Sequence, residues 1–353
     1  MKKLFFKINK NKNYIKKIIN IFLLFISVGI IFYFFVDNNN YLKLMDALPH
    51  LNVLWILVAF LSLSFSWYFD SLSIKFLSDT ISANNNHGQM SFLKISICGQ
   101  YFHAITPMGI GSQPAQILKL SSKNISKDKA VIILFQKYII YQTCLFFYSL
   151  VCFFIYRNHI KECCPKIIIM IAVGLISQGL VLIVIKVIFS NKNLIIKTLK
   201  VILNLIFRIK IIKNKKTILK IIQKSENKIN SIYSFGKTVK KNKTLSLKIW
   251  ICSFLQINFL FSVPFFIFKA FNHVANPVLE ILCTQSIINT VSSFTPLPGS
   301  CGTAEESFLS LFSTIFSAEE IVSAMLLSRF ITFYSIIVIG YIINNFVSKN
   351  SCN

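Results

Sequence analysis

Two stretches decide how this chain folds: Thr106-Pro107-Met108-Gly109-Ile110-Gly111-Ser112-Gln113-Pro114-Ala115-Gln116 and Thr295-Pro296-Leu297-Pro298-Gly299-Ser300-Cys301-Gly302-Thr303-Ala304-Glu305-Glu306, each set inside apolar sequence. Both place Thr-Pro before a glycine-rich turn and a short helix. Proline removes a backbone donor and glycine weakens helix propagation, so each stretch predicts two half-helices meeting at an irregular turn. Irregular backbone at membrane depth survives only where protein or a polar cavity satisfies it. Two such breaks in corresponding positions point to a transporter-like site near the bilayer midplane.

The surrounding sequence is too apolar for a soluble protein of 353 residues: 54% is hydrophobic, 14% is charged and the mean hydropathy is +0.64. An all-α, polytopic membrane protein follows. A span needs about 20 apolar residues, and by that rule six are expected, at 18–36, 53–72, 131–156, 167–189, 249–271 and 321–347. The broken stretches 92–120 and 277–316 are expected to be re-entrant hairpins, each entering and leaving by one face. The chain is then a single membrane domain, with a basic tail at 1–17 whose following apolar run is too long for a cleaved signal sequence.

Lys and Arg number 38 against 12 acidic residues, an excess that would suit nucleic-acid binding if it were spread over the surface. It is not spread. With the N-terminus inside, the inner segments carry 29 of the basic residues and the outer segments 4. That asymmetry is positive-inside topology, so both termini are expected in the cytoplasm of a cell-membrane protein, and no nucleic acid is expected as partner. The same topology sets the two hairpins on opposite faces, as an inverted repeat would; convergence on Pro/Gly hairpins is the alternative. The basic insertion at 190–248 begins with an Ile/Leu stripe at 195–209, which suits either a helix on an anionic leaflet or a hairpin packed on the membrane domain.

Polar residues inside the apolar stretches are the candidate site. Gln100 and His103, and likewise Gln113 and Gln116, are spaced i, i+3 and share a helix face. Together with Thr106, Pro107, Gly109 and Gly111 they could line a headgroup site whose half-helix N-terminus offers N–H groups to a phosphate. The bland reading is interhelical glue. At the second break Thr295, Pro296, Pro298, Gly299 and Gly302 shape the turn, and Glu305 and Glu306 open the next half-helix. Acids there suit the helix dipole, but at membrane depth a carboxylate needs a cation. Arg329, deep in the last span, is the expected partner of Glu305, whereas Lys137, Lys186 and Lys269 stand near enough to helix ends to snorkel. Gln285, Asn289, Ser292 and Ser293 form a polar stripe ahead of this break, as headgroup route or as packing.

No catalytic constellation, metal spacing or phosphate-binding loop is present, so no catalytic residue, metal or cofactor is expected. Nine cysteines, with Cys163-Cys164 the only close pair, suggest no disulfide framework.

The residues Gly99 to Ile117, Thr295 to Glu305 and Ser328 to Tyr334, in this order and spacing, resemble the lysylphosphatidylglycerol synthase transmembrane family, the flippase half of multiple peptide resistance factor proteins. Ser112 and Ser300 stand where that family usually has a second glycine. The resemblance implies transfer of a polar lipid, aminoacylated phosphatidylglycerol in the best-known members, between leaflets. Full-length members also carry a soluble domain that takes lysine from charged tRNA. The chain ends at Asn353, shortly after the last span, so transferase activity of its own is not expected. Two alternatives stand beside the flippase: a membrane component of a phosphatidylglycerol lysyltransferase with a soluble synthase partner, and a scaffold that recruits anionic lipid through the basic insertion.

Overall fold

The computed structural model describes residues 45–81, 87–123, 125–163, 165–190, 215–293 and 295–349, with positions 29, 196, 197 and 201 besides. The expected first span at 18–36, the tail at 1–17 and most of the stripe at 195–209 lie outside the described residues. A long helix α1 (Val53–Ile81) leads into a hairpin of α2 (Gln89–Ile105) and α3 (Ser112–Ser121), followed by α4 (Lys127–Cys163) and α5 (Pro165–Ser190). After α6 (Lys215–Lys241) the order recurs. Helices α7 (Lys243–Phe261) and α8 (Val263–Ala270) precede a second hairpin, α9 (Val278–Ser292) and α10 (Thr303–Leu311), and then α11 (Ile321–Arg329) and α12 (Ser335–Lys349).

Among the described residues four segments are long and apolar enough to cross a membrane, Val53–Ile81, Lys127–Arg157, Lys243–Ala270 and Ile321–Asn344, with shorter apolar helices at Ile168–Val184 and Val278–Ser292. Two of the expected spans are interrupted. Between α7 and α8, Pro264 has no N–H with which to continue the ladder. Between α11 and α12 a π-turn, Phe330–Tyr334, follows directly on Arg329, and such turns often mark functional positions.

Two contacts place the ends of the helices. Asn52 N donates to Ala270 O at 2.8 Å and Asn272 Nδ2 to His50 O at 3.0 Å, so α1 starts where α8 ends and the two run antiparallel. The mouth of the second hairpin lies at that same end, closed by His273 Nε2 and Glu320 Oε2 at 3.2 Å. The first hairpin opens at the other end, where His87 Nε2 donates to Lys123 O at 3.0 Å. The hairpins therefore enter from opposite ends, and the 3-10 turns at their tips, Pro107–Gly109 and Pro298–Ser300, touch in the middle of the protein.

Small residues let the helices close on one another. Ser62 on α1 donates to Phe259 O at 2.6 Å and lies 2.8 Å from Ser262 Oγ; Gly174 on α5 meets Thr290 on α9, and Gly340 on α12 meets Tyr101 on α2. Outward faces are apolar, as in Leu54, Leu57, Leu61 and Phe65 of α1, which suits contact with lipid. The two ends differ in charge. The end of the second hairpin gathers Asp46, Glu319, Glu320 and His50 around a cavity of about 430 Å³, while exposed Lys127, Lys129, Lys241, Lys243 and Lys248 crowd the other. Within the basic insertion, α6 packs Phe235 and Val239 into one apolar cluster with Leu245 and Ile249 of α7, and leaves Lys237 and Lys241 exposed.

Candidate functional site

The two tip turns share one backbone pattern. Met108 (φ 52°) and Gly109 (φ 65°) follow Pro107, and Gly299 (φ 62°) and Ser300 (φ 53°) follow Pro298. Two successive left-handed residues after a proline reverse the chain tightly, and each turn then feeds a half-helix through a glycine N-cap, Gly111 or Gly302. The equivalence runs Pro107 to Pro298, two residues away from the Thr-Pro match visible in the sequence. Pro296 is an exposed lead-in. Ser300 therefore occupies a position where glycine is unstrained, whereas Ser112 sits in ordinary helix at the start of α3.

The N-cap amides are satisfied from opposite directions. Thr106 Oγ1 donates to Phe102 O at 2.5 Å and accepts from Gly111 N at 2.9 Å, so the upstream residue closes the first turn. In the second turn Gly302 N donates to Glu305 Oε2 at 2.6 Å, and the downstream residue closes it. Thr295 Oγ1 donates to Thr303 Oγ1 at 2.6 Å across the same turn.

Glu305 is almost wholly buried, and its Oε1 lies 2.6 Å from Arg329 Nε, whose side chain is 15% exposed. Arg329 Nη1 also donates to Gly299 O at 3.3 Å, which fastens α11 to the second turn. Its Nη2 is buried with no hydrogen-bond partner among the described residues, so one face of the guanidinium still has donor capacity. Glu306, one position on, points to solvent. The expected pairing of Glu305 with Arg329 is thus present in the fold.

Around the first turn the four polar residues separate. The His103 ring lies against Gly109, where an added Cβ would fall 1.9 Å from Nδ1, and the residue keeps exposed surface. Gln100 is half-buried and Gln113 exposed. Gln116 is only 4% exposed and fills the space over Gly99, with Nε2 2.2 Å from where a Cβ would stand. Its role is to join α3 to α2, which helical spacing to Gln113 does not reveal. In the polar stripe of α9, Gln285 Oε1 and Ser292 Oγ are buried without partners among the described residues, while Ser293 donates to Thr290 O.

A second buried ion pair escaped the sequence reading. Lys137 Nζ, on α4, lies 2.6 Å from Asp70 Oδ1, on α1, with side chains 11% and 3% exposed. Ser96 of α2 donates to Asp70 Oδ2 at 2.6 Å. Lys137 therefore does not snorkel to a helix end. The available signal was Asp70 itself, an acid inside an apolar stretch. Lys269 does lie at a helix end, but it is engaged there, donating to the carbonyls of His273, Val274 and Ala275. The Lys186 side chain lies outside the described residues. Among the described residues no cluster of side chains suits a metal ion, and six buried cysteines, Cys98, Cys144, Cys152, Cys252, Cys283 and Cys301, are in no disulfide.

Comparison with curated proteins and with solved structures finds no match. A family model described as "Lysylphosphatidylglycerol synthase TM region" matches residues 20–340. That match takes in both hairpins, both turns and both buried ion pairs, and the chain accordingly belongs to the lysylphosphatidylglycerol synthase TM region family.

Proposed function

We propose that this chain moves a phospholipid with an anionic or aminoacylated headgroup between the leaflets of the cell membrane. The observation that carries the reading is the buried Glu305–Arg329 pair beside two touching, irregular turns. Broken helices at the centre of a membrane protein are where substrate sites are built. Membership of a lipid-related membrane family supports the same class of substrate. The charge difference between the two ends supports a cytoplasmic location for the basic end, where the first hairpin opens, and cytoplasmic termini.

The pair also suggests how a headgroup binds. A phosphate taken from water needs a cation, and Arg329 has an unspent N–H group. If phosphate takes Arg329, Glu305 is left as a buried, unpaired carboxylate, which is costly. An aminoacylated headgroup carries phosphate and ammonium together. It replaces both partners at once, phosphate on Arg329 and ammonium on Glu305, and leaves no uncompensated charge. Gln100, His103, Gln113 and the backbone N–H groups of Ser112 and Gln113 at the start of α3 would contribute further contacts on the other turn. Phosphatidylglycerol itself satisfies only Arg329.

Leaflet exchange of fluorescent phosphatidylglycerol and its lysyl form in proteoliposomes tests this. Wild type is expected to exchange the lysyl form faster. Glu305→Gln removes that preference, because the ammonium loses its partner, and Arg329→Gln depresses both lipids at least tenfold. Exchange of neither lipid by folded wild type would overturn the reading and return weight to a partner-dependent synthase component.

A further inference from the structure

Lys137, Asp70 and Ser96 occupy a place in the first half of the fold that matches the place of Arg329 in the second. Lys137 follows Pro107 by 30 residues, and Arg329 follows Pro298 by 31. Each cation stands on the helix that follows its hairpin, and that helix starts at the end from which the hairpin entered. With a rise of 1.5 Å per residue, Lys137 lies about 15 Å along α4, Arg329 about 12 Å along α11, and Asp70 about 16 Å from the end of α1. The carboxylates differ in origin. Glu305 belongs to the hairpin itself, and Asp70 to the span before it.

We propose that Lys137 and Ser96 form a second binding station, for the phosphate of an anionic phospholipid on the side of the first hairpin, and that Asp70 holds the phosphate's place while the station is empty. The proposal rests on the lipid-translocation reading above and adds a site to it. A carboxylate and a phosphodiester both present oxygens that only accept, so the donors around one fit the other. Lys137 Nζ and Ser96 Oγ, each 2.6 Å from an Asp70 oxygen, are such a donor set. Lys137 has three N–H groups and only one partner, Asp70, among the described residues.

Stability alone is a weak reason for such a pair, because desolvation of two charges offsets most of their attraction. Ionisable groups at this depth are costly and mark pathways for charged cargo. The exposed lysines at the same end, Lys127, Lys129 and Lys248 among them, raise the local concentration of anionic lipid near the station.

The test compares Asp70→Asn, Lys137→Gln and the double variant Asp70→Asn/Lys137→Gln with wild type, all full-length. Phosphatidylglycerol retained by detergent-purified protein is measured by native mass spectrometry, and exchange is measured in proteoliposomes. Asp70→Asn frees the cation and is expected to retain at least threefold more phosphatidylglycerol than wild type. Lys137→Gln and the double variant are expected to lose that gain and to exchange lipid at least tenfold more slowly. The double variant removes both charges of this pair and strands neither, so it separates a station from a structural pair even where a single variant fails to fold. Wild-type exchange and retention in the folded double variant would overturn the station and leave the Glu305–Arg329 reading standing. Absence of exchange in wild type would overturn that reading instead, while retention by Asp70→Asn still decides the station. A parallel arm offers inorganic phosphate in neutral detergent: displacement of bound phosphatidylglycerol supports a phosphate-selective site, and retention gained equally for a neutral lipid overturns it.

Discussion

At the scale of single residues, the two buried ion pairs set what can be changed. Removing one partner of Glu305–Arg329 strands the other charge, so Glu305→Gln and Arg329→Gln should each lower stability by about 3–5 kcal/mol, and the double variant by less than either. Thermal unfolding in detergent measures this. The turns make a different demand. Ser300 has φ 53°, where a side chain costs about 1 kcal/mol, so Ser300→Gly should raise the unfolding midpoint. Gly299→Ala should lower it sharply, because its Cβ would fall 2.1 Å from the Phe333 ring. Glu305 and Arg329 were legible in the sequence, since an acid and a deep arginine in apolar surroundings seek each other. Asp70–Lys137 was not, because helix positions 67 residues apart in the chain meet only through the packing of α1 against α4.

Among elements, the interface of α4 with α9 ties the second hairpin to the first half of the fold. Ser286 donates to Ser149 at 3.1 Å, and one turn away Cys152 and Cys283 are in side-chain contact, both buried. A membrane-permeant thiol oxidant should therefore join Cys152 to Cys283, seen as one linked peptide pair by mass spectrometry, and should slow lipid exchange if α9 shifts against α4 in turnover. Cys152→Ser removes both effects. Element lengths were only partly legible. Hydropathy identifies a long apolar run over 249–271, but the break at Ser262–Pro264 divides it, and the π-turn after Arg329 leaves no compositional trace.

For the molecule as a whole, opposed hairpins with touching tips make the two ends chemically distinct. Single cysteines introduced at Lys237 and at Glu319, in a variant without native cysteines, should react with an impermeant maleimide from opposite sides of the membrane, Lys237 from the cytoplasm. Labelling of both from one side would contradict the antiparallel arrangement. Apolar run length, Thr-Pro-Gly breaks and the placement of Lys and Arg determined, without any coordinates, that this is an all-α membrane protein with two interrupted hairpins. Those properties depend on each segment's own partition between lipid and water, and a segment carries that information alone. Tertiary structure alone decided that the tips meet, that Pro107 corresponds to Pro298 rather than Pro296, that Gln116 packs on Gly99, and that Lys137 pairs with Asp70. Each of these depends on the rotation and depth of one helix against another, which van der Waals packing of small residues sets and which periodicity within a single helix does not encode.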